Sequence, residues 1–237
     1  MRKILVPISG FAVIVVLLVL INVRYVALHA PAVVKVTVRE GMTAPEITAL
    51  LHRAYVLKEE DVLPDQSEGY YFPDTYEFFV LGGVDAVVKK FTDNFNRKVL
   101  PLIPADKDPR EVLIIASMIE KEADNFDDRR LISDVLWKRL EVGMGLQVDS
   151  TICYIKKPKK CLPIQKSDLQ IDSLYNTYLY RGLPPGPISN PGRNAIIASI
   201  NPKSSPYFFY LSDPQTNRTH LATTFYEHIN NINKYLR

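Results

Sequence analysis

The chain has 237 residues, 47% of them hydrophobic and 23% charged. That suffices for one medium domain or two small ones and excludes a disordered chain. Its 29 Lys and Arg against 26 Asp and Glu give +3, and residues 1–30 hold that whole excess as Arg2, Lys3 and Arg24, leaving 26 charges of each sign over residues 31–237 and excluding a general electrostatic grip on nucleic acid.

From Ile4 to Val23 the sequence is uncharged. That length matches what a helix needs to cross a hydrocarbon core of about 30 Å. A retained transmembrane helix is therefore expected, over residues 1–30 with the cytoplasmic tip included. The alternative is a cleaved signal peptide, with Ala27-Leu28-His29-Ala30 as its cleavage site. Arg2 and Lys3 favour the N-terminus inside. The expected location is then the cytoplasmic (inner) membrane, single-pass, with residues 31–237 facing the periplasm or outside. Cys153 and Cys161 fit such a compartment as a disulfide pair. Two Cys and four His argue against a closed zinc site, and no P-loop or dinucleotide fingerprint occurs. No metal and no cofactor are expected.

Val33–Val38 alternates as a half-buried strand. Thr43, Pro45 and Glu46 form a capping-box start for a helix reaching about Arg53. Residues 58–69 are polar and acidic and read as a linker. Tyr70 to Phe78 is dense in aromatic residues, which read as core before they read as a sugar platform. Val84, Val87, Val88, Phe91 and Phe95 mark one face of a helix. Asp108 as N-cap, Pro109 and Glu111 start the next helix, which is apolar almost all round up to Ile119. A further helix covers about Asp128–Val142, with Gly143 as its stop. Gly145–Thr151 reads as extended, and Lys156–Lys160 as a solvated loop tip, with an anionic polymer site as the weaker option. Gly182–Gly192 is too rich in Pro and Gly for helix until Asn190 caps a short one. Tyr207–Ser212 is a strand that turns at Asp213-Pro214, and a last helix covers about Thr224–Leu236. Mixed order of both element types gives an α+β class.

Glu120 is the carboxylate that stands out. Leu113, Ala116 and Ser117 share its side of the helix, so its neighbours are one large apolar residue and two small ones. Such surroundings desolvate a carboxyl and raise its pKa, as a general acid requires. The plainer reading is a helix-end glutamate paired with Lys121, Lys138 or Arg139. Glu122 projects with Ile115 and Met118 and is its rival, and Glu68 and Glu77 remain possible helpers. None of the four His suggests chemistry by its position.

Ala116-Ser117-Met118-Ile119-Glu120-Lys121-Glu122 resembles the signature of the YceG-like endolytic murein transglycosylases. Four further segments resemble that family in the same order: Glu68–Tyr76, Leu146–Tyr154, Tyr175–Tyr178 and Gly182–Ile188, the last extended by Asn190-Pro191-Gly192. The resemblance covers about residues 33–237. It implies cleavage inside peptidoglycan glycan strands, between N-acetylmuramic acid and N-acetylglucosamine. The muramic 6-hydroxyl attacks its own anomeric carbon, so one carboxyl serves as acid and then as base, leaving a 1,6-anhydro end. Carried across, Glu120 is the catalytic acid/base. Gln147, Asp149, Thr151, Tyr154, Asn176 and Tyr178 match motif positions and are expected to line the glycan cleft.

The implied organisation is an anchor over 1–30, a truncated LysM-like βα module over 31–57 and a mixed α+β catalytic domain over 58–237. Only the second half of the family's LysM-like module, around Val33–Arg53, is present. His220 directly precedes Leu221 where the family shows His-x-Phe, so no role is carried over to it. The implied partners are peptidoglycan glycan strands and the membrane, with peptidoglycan synthases as further candidates. Two other readings are a catalytically weak glycan-binding scaffold and a muramidase that uses water.

Overall fold

The computed structural model describes residues 8–29, 31–156, 164–213, 215–216 and 218–236, with the side chains of residues 8–11, 23 and 25–29 left aside. Helix α1 is Ile8–His29. Its described apolar side chains run from Ala12 to Ile21 and are exposed. They cover about 15 Å of helix, half of a bilayer core. Among the described residues no helix is long and apolar enough to cross a membrane, so the expected transmembrane helix is not found among them.

Strand β1 (Val33–Thr37) leads through the Glu40–Met42 turn into α2 (Ala44–Arg53). The capping box closes as expected, with the Thr43 N–H donating to the Glu46 carboxylate at 2.8 Å. Strand β2 (Thr75–Phe79) pairs antiparallel with β1, Val36 opposite Tyr76, and α3 (Val84–Lys98) packs beside them. One core joins these elements: Val36, Ile47, Leu51, Tyr71, Tyr76, Phe78, Val87 and Phe91. The aromatic stretch is thus core, Tyr76 and Tyr71 standing 4.6 and 5.0 Å from the Phe91 ring centre.

Residues 58–69 are no loose linker. Leu63 is buried, Asp65–Ser67 forms a 3-10 turn, and Glu68 is only 4% exposed. The Glu68 carboxylate caps α2 from a distance, accepting the Ala44 N–H at 2.9 Å and an N–H from Asn190 Nδ2. Burial pushes its carboxyl up to about 7, against those hydrogen bonds. The unfolded glutamate titrates near 4.5, so folding favours the protonated form. That stability is complete below pH 4.5 and is lost as pH rises through about 7. Between pH 4.5 and 8 the native chain should lose about 3 kcal/mol more than Glu68→Gln, read by urea unfolding across that range. Parallel pH profiles for the two proteins would rule out this titration at Glu68.

The second core is built on α4 (Pro109–Glu122), which starts where Asp108 accepts the Arg110 N–H at 2.8 Å. Helices α5 (Phe126–Glu141), α6 (Asp149–Lys156) and α7 (Arg193–Ile200) pack on it, so residues 112–119 are all buried. Helix α5 starts two residues before the expected Asp128, with Asn125 capping it by accepting the Asp128 N–H. Helix α6 takes over the last three residues of the expected extended run, 149–151: its Ser150, Thr151 and Ile152 are buried, and packing overrides their modest helix propensity. Cys153 on α6 is disulfide-bonded, whereas its expected partner Cys161 lies outside the described residues. Lys156 is held by Asp168 at 2.6 Å, and the rest of the lysine run, 157–160, also lies outside them. Strands β3 (Phe209–Ser212) and β4 (Thr219–Ala222) form an antiparallel pair, with α8 (Phe225–Tyr235) against both. The fold is mixed α+β, with two small two-stranded sheets among the helices of the described residues.

Candidate active site

The small residues beside Glu120 leave room for a segment of the chain itself. Residues 185–192 run along α4 and are stitched to it. Arg110 donates to the Pro185 carbonyl, the Ile188 N–H donates to Ser117 Oγ at 3.0 Å, and Ser189 Oγ donates to the Ser117 carbonyl at 3.1 Å. Ser117 and Ala116 permit that approach, which a larger side chain would block. The segment ends at Gly192, whose N–H donates to Glu120 Oε2 at 3.0 Å.

Glu120 Oε1 accepts from Arg129 Nη2 at 2.8 Å, and the two side chains are 6% and 7% exposed respectively. Arg129 Nε is engaged as well, on the Ala123 carbonyl at 2.8 Å. The partner is none of Lys121, Lys138 and Arg139. Lys138 pairs with Asp134, and Arg139 donates to the Phe208 and Leu146 carbonyls. Burial raises the Glu120 carboxyl above its ordinary range, the Gly192 N–H and Arg129 pull it back, and Glu40 pushes it up again. Both charge states thus have support: burial and Glu40 favour the acid, Arg129 and the amide favour the carboxylate.

Glu122 lies about 200° further round α4. Its Oε1 accepts the Ser150 N–H at 3.4 Å, and burial, then Asp149, pushes the carboxyl up to about 7. The structure gathers part of the expected glycan-lining set on this side. Asp149 opens α6 and accepts from the Tyr178 hydroxyl. Gln147 is exposed in a left-handed conformation (φ 52°), its N–H donating to the Thr177 carbonyl at 3.1 Å.

Thr151 and Asn176 are interior and do not face an open cleft. Thr151 Oγ1 donates to the Val148 carbonyl at 2.7 Å; Asn176 Nδ2 donates to the Leu169 and Ile171 carbonyls, and its Oδ1 accepts the Tyr178 N–H. Their hydrogen bonds shape the 147–151 and 176–178 turns that present Gln147 and Tyr178. Tyr154 is half-buried with its ring 5.0 Å from that of Tyr175.

Asn190 does not cap α7; Gly192 takes that position. Instead the fully buried Asn190 side chain accepts the N–H groups of Gly69 and Tyr71, both at 2.9 Å, and donates to the Met42 carbonyl and Glu68. It ties together the segment at 68–71, the turn before α2 and the 185–192 segment. Sequence reasoning passed over Arg129 and Glu40, which sit outside the signature that marks Glu120. The one available signal was the Arg129 position at the start of a helix that must pack beside α4.

A cavity of about 940 Å³ lies at the other end of α4, lined among others by Arg110, Glu111, Trp137, Tyr180 and Arg181. Glu111 and Glu120 are about 14 Å apart along the helix axis. The carboxyl site is therefore distinct from this cavity.

The YceG-like family model matches residues 22–234. An endolytic murein transglycosylase of Bacillus subtilis (strain 168) is 34% identical over 174 residues, covering 71% of this chain and 48% of that protein. The endolytic murein transglycosylase of Streptococcus pneumoniae serotype 2 (strain D39) is 30% identical over 177 residues, 71% of this chain and 32% of that protein. The chain thus spans about half the length of the first relative and a third of the second. The crystal structure of a YceG-like protein from Listeria monocytogenes superposes with a TM-score of 0.66 at 30% identity, over 83% of this chain and 75% of that one. With signature, sequence match and fold in agreement over the same residues, the chain belongs to the YceG-like family.

Proposed function

We propose that this chain is a peptidoglycan lytic transglycosylase that cuts inside glycan strands, with Glu120 as its acid and base. The observation that supports this most is the balance of forces on Glu120. Burial favours a proton there, and Arg129 and the Gly192 N–H favour the carboxylate left behind. The relatives named endolytic murein transglycosylase support the choice of substrate.

In the proposed reaction the Glu120 proton passes to the glycosidic oxygen as the C1–O bond breaks. The muramic 6-hydroxyl oxygen then bonds to C1, and its proton returns to Glu120, leaving a 1,6-anhydro end. No water is consumed and the carboxyl is restored, so one residue completes the cycle. Gln147, Asp149 and Tyr178 are proposed as polar contacts for the strand, their segments shaped from within by Thr151 and Asn176, with Tyr154 packed behind. A hydrolytic muramidase is the second reading, favoured by the Glu40 carboxylate near Glu120, since a second carboxylate can activate water.

We further propose a membrane anchor at the N-terminus, with residues 31–237 on the outer side. The uncharged run Ile4–Val23 and the exposed apolar side chains Val13–Ile21 support it. Incubating the full chain with unsubstituted glycan strands and reading the new ends by mass spectrometry tests the reaction. Anhydro ends uphold it, reducing ends favour the muramidase, and uncut strands the binding scaffold. Recovery of the chain in high-salt or carbonate washes of the membranes would remove the anchor.

A further inference from the structure

Glu40 stands in the turn between β1 and α2, and the main chain on its C-terminal side is pinned. The Gly41 N–H donates to the Asn190 carbonyl at 2.8 Å, and the Asn190 N–H donates to the Met42 carbonyl at 2.9 Å. The Glu40 side chain then lies flat on Gly192. A Cβ at Gly192 would stand 1.9 Å from Glu40 Oε1 and 2.0 Å from its Cδ, so any other residue there would displace the Glu40 side chain from this position. The same Gly192 gives its N–H to Glu120 at 3.0 Å, which brings the two carboxylates within about 7 Å of each other.

The charged groups around Glu120 come from three elements. Arg129 is supplied by α5 and is occupied by Glu120 and the Ala123 carbonyl. Lys121 lies on α4 itself, its Nζ 3.4 Å from where a Cβ on Gly41 would be. Glu40 comes from the turn, and the start of α7 contributes the Gly192 amide. Glu40 is exposed, and among the described residues it forms no ion pair that would cancel its charge.

We propose that Glu40 is a positioning residue for Glu120: a second charge, lying across Gly192 from it, that keeps the proton on Glu120 until the glycosidic oxygen takes it. The proposal rests on the acid/base reading of Glu120 above. Without Glu40, Arg129 and the amide would hold Glu120 more firmly as a carboxylate, and less of the protein would carry the proton to donate. The arrangement also gives Gly192 a place in the Asn190-Pro191-Gly192 motif, since a side chain there would push Glu40 away from Glu120.

The test uses the full chain with ¹³C-labelled glutamate carboxyls, the Glu120 signal being assigned from Glu120→Gln. In Glu40→Gln the Glu120 carboxyl should release its proton at lower pH than in the native chain. The alkaline limb of kcat for strand cleavage should move down with it, reducing kcat about tenfold above that limb and leaving KM unchanged. Glu40→Asp should recover most of both. A Glu120 titration that stays in place in Glu40→Gln overturns the proposal, whatever the activity. If the native chain cuts no glycan, the reading of the function falls, and the carboxyl titration still decides the role of Glu40.

Discussion

Glu120→Gln is expected to reduce strand cleavage by roughly 10²–10⁴-fold while the protein stays folded. The substitution keeps the shape of the side chain and the acceptor that faces Arg129 at 2.8 Å, and removes the only transferable proton. The loss should appear in kcat, because proton donation is made in the transition state and not on binding. Glu122→Gln is the informative control. Its carboxyl is also pushed up, to about 7, yet it is turned toward Ser150 and away from Arg129 and Gly192. It should retain activity within about tenfold of the native chain. If Glu122→Gln is the inactive protein and Glu120→Gln cleaves normally, the acid has been assigned to the wrong side of α4.

Asn190→Ala is expected to cost about 4 kcal/mol of stability, since buried donors left without a partner cost about 1–3 kcal/mol each. It orphans the Gly69 and Tyr71 N–H groups and removes the donor to Glu68. The backbone bonds of residue 190 to Gly41 and Met42 remain, so the chain should still reach its fold at low temperature. Asn190→Asp separates the donor from the acceptor roles. Both amides keep an oxygen, but a second carboxyl now faces Glu68, so this variant should be weak at pH 8 and recover toward pH 5. Urea unfolding at the two pH values checks both. A midpoint for Asn190→Ala that leaves stability within about 1 kcal/mol of native would show that water replaces the side chain there.

The sites of helix initiation were legible because capping is decided within one turn. Asp108-Pro109 and the box Thr43–Glu46 name their own partners within three residues. The aromatic stretch was legible as core because dense aromatic residues are most often buried, and Tyr76 and Phe78 are buried on one face of β2. Asn190 misled because an asparagine before a helix offers the same cap chemistry wherever its side chain points. Its acceptors lay more than a hundred residues away, at Gly69 and Tyr71. Helix α6 misled because Thr151, Ile152 and Tyr154 have strand-like propensities that tertiary burial overrode.

For the site, the sequence by itself determined which carboxyl to examine. Small residues three and four positions before Glu120 follow from helical spacing alone, and the signature around it marks the family. What that carboxyl can do was decided by tertiary structure. Its proton affinity depends on desolvation and on charges within a few ångströms, and those come from Arg129 on the next helix, from Gly192 and from Glu40. The spacing of these residues along the chain carries no trace of the contact. Coulomb forces and burial depend on distance in space, and only the packing of α4 against α5, the Glu40 turn and the 185–192 segment sets those distances.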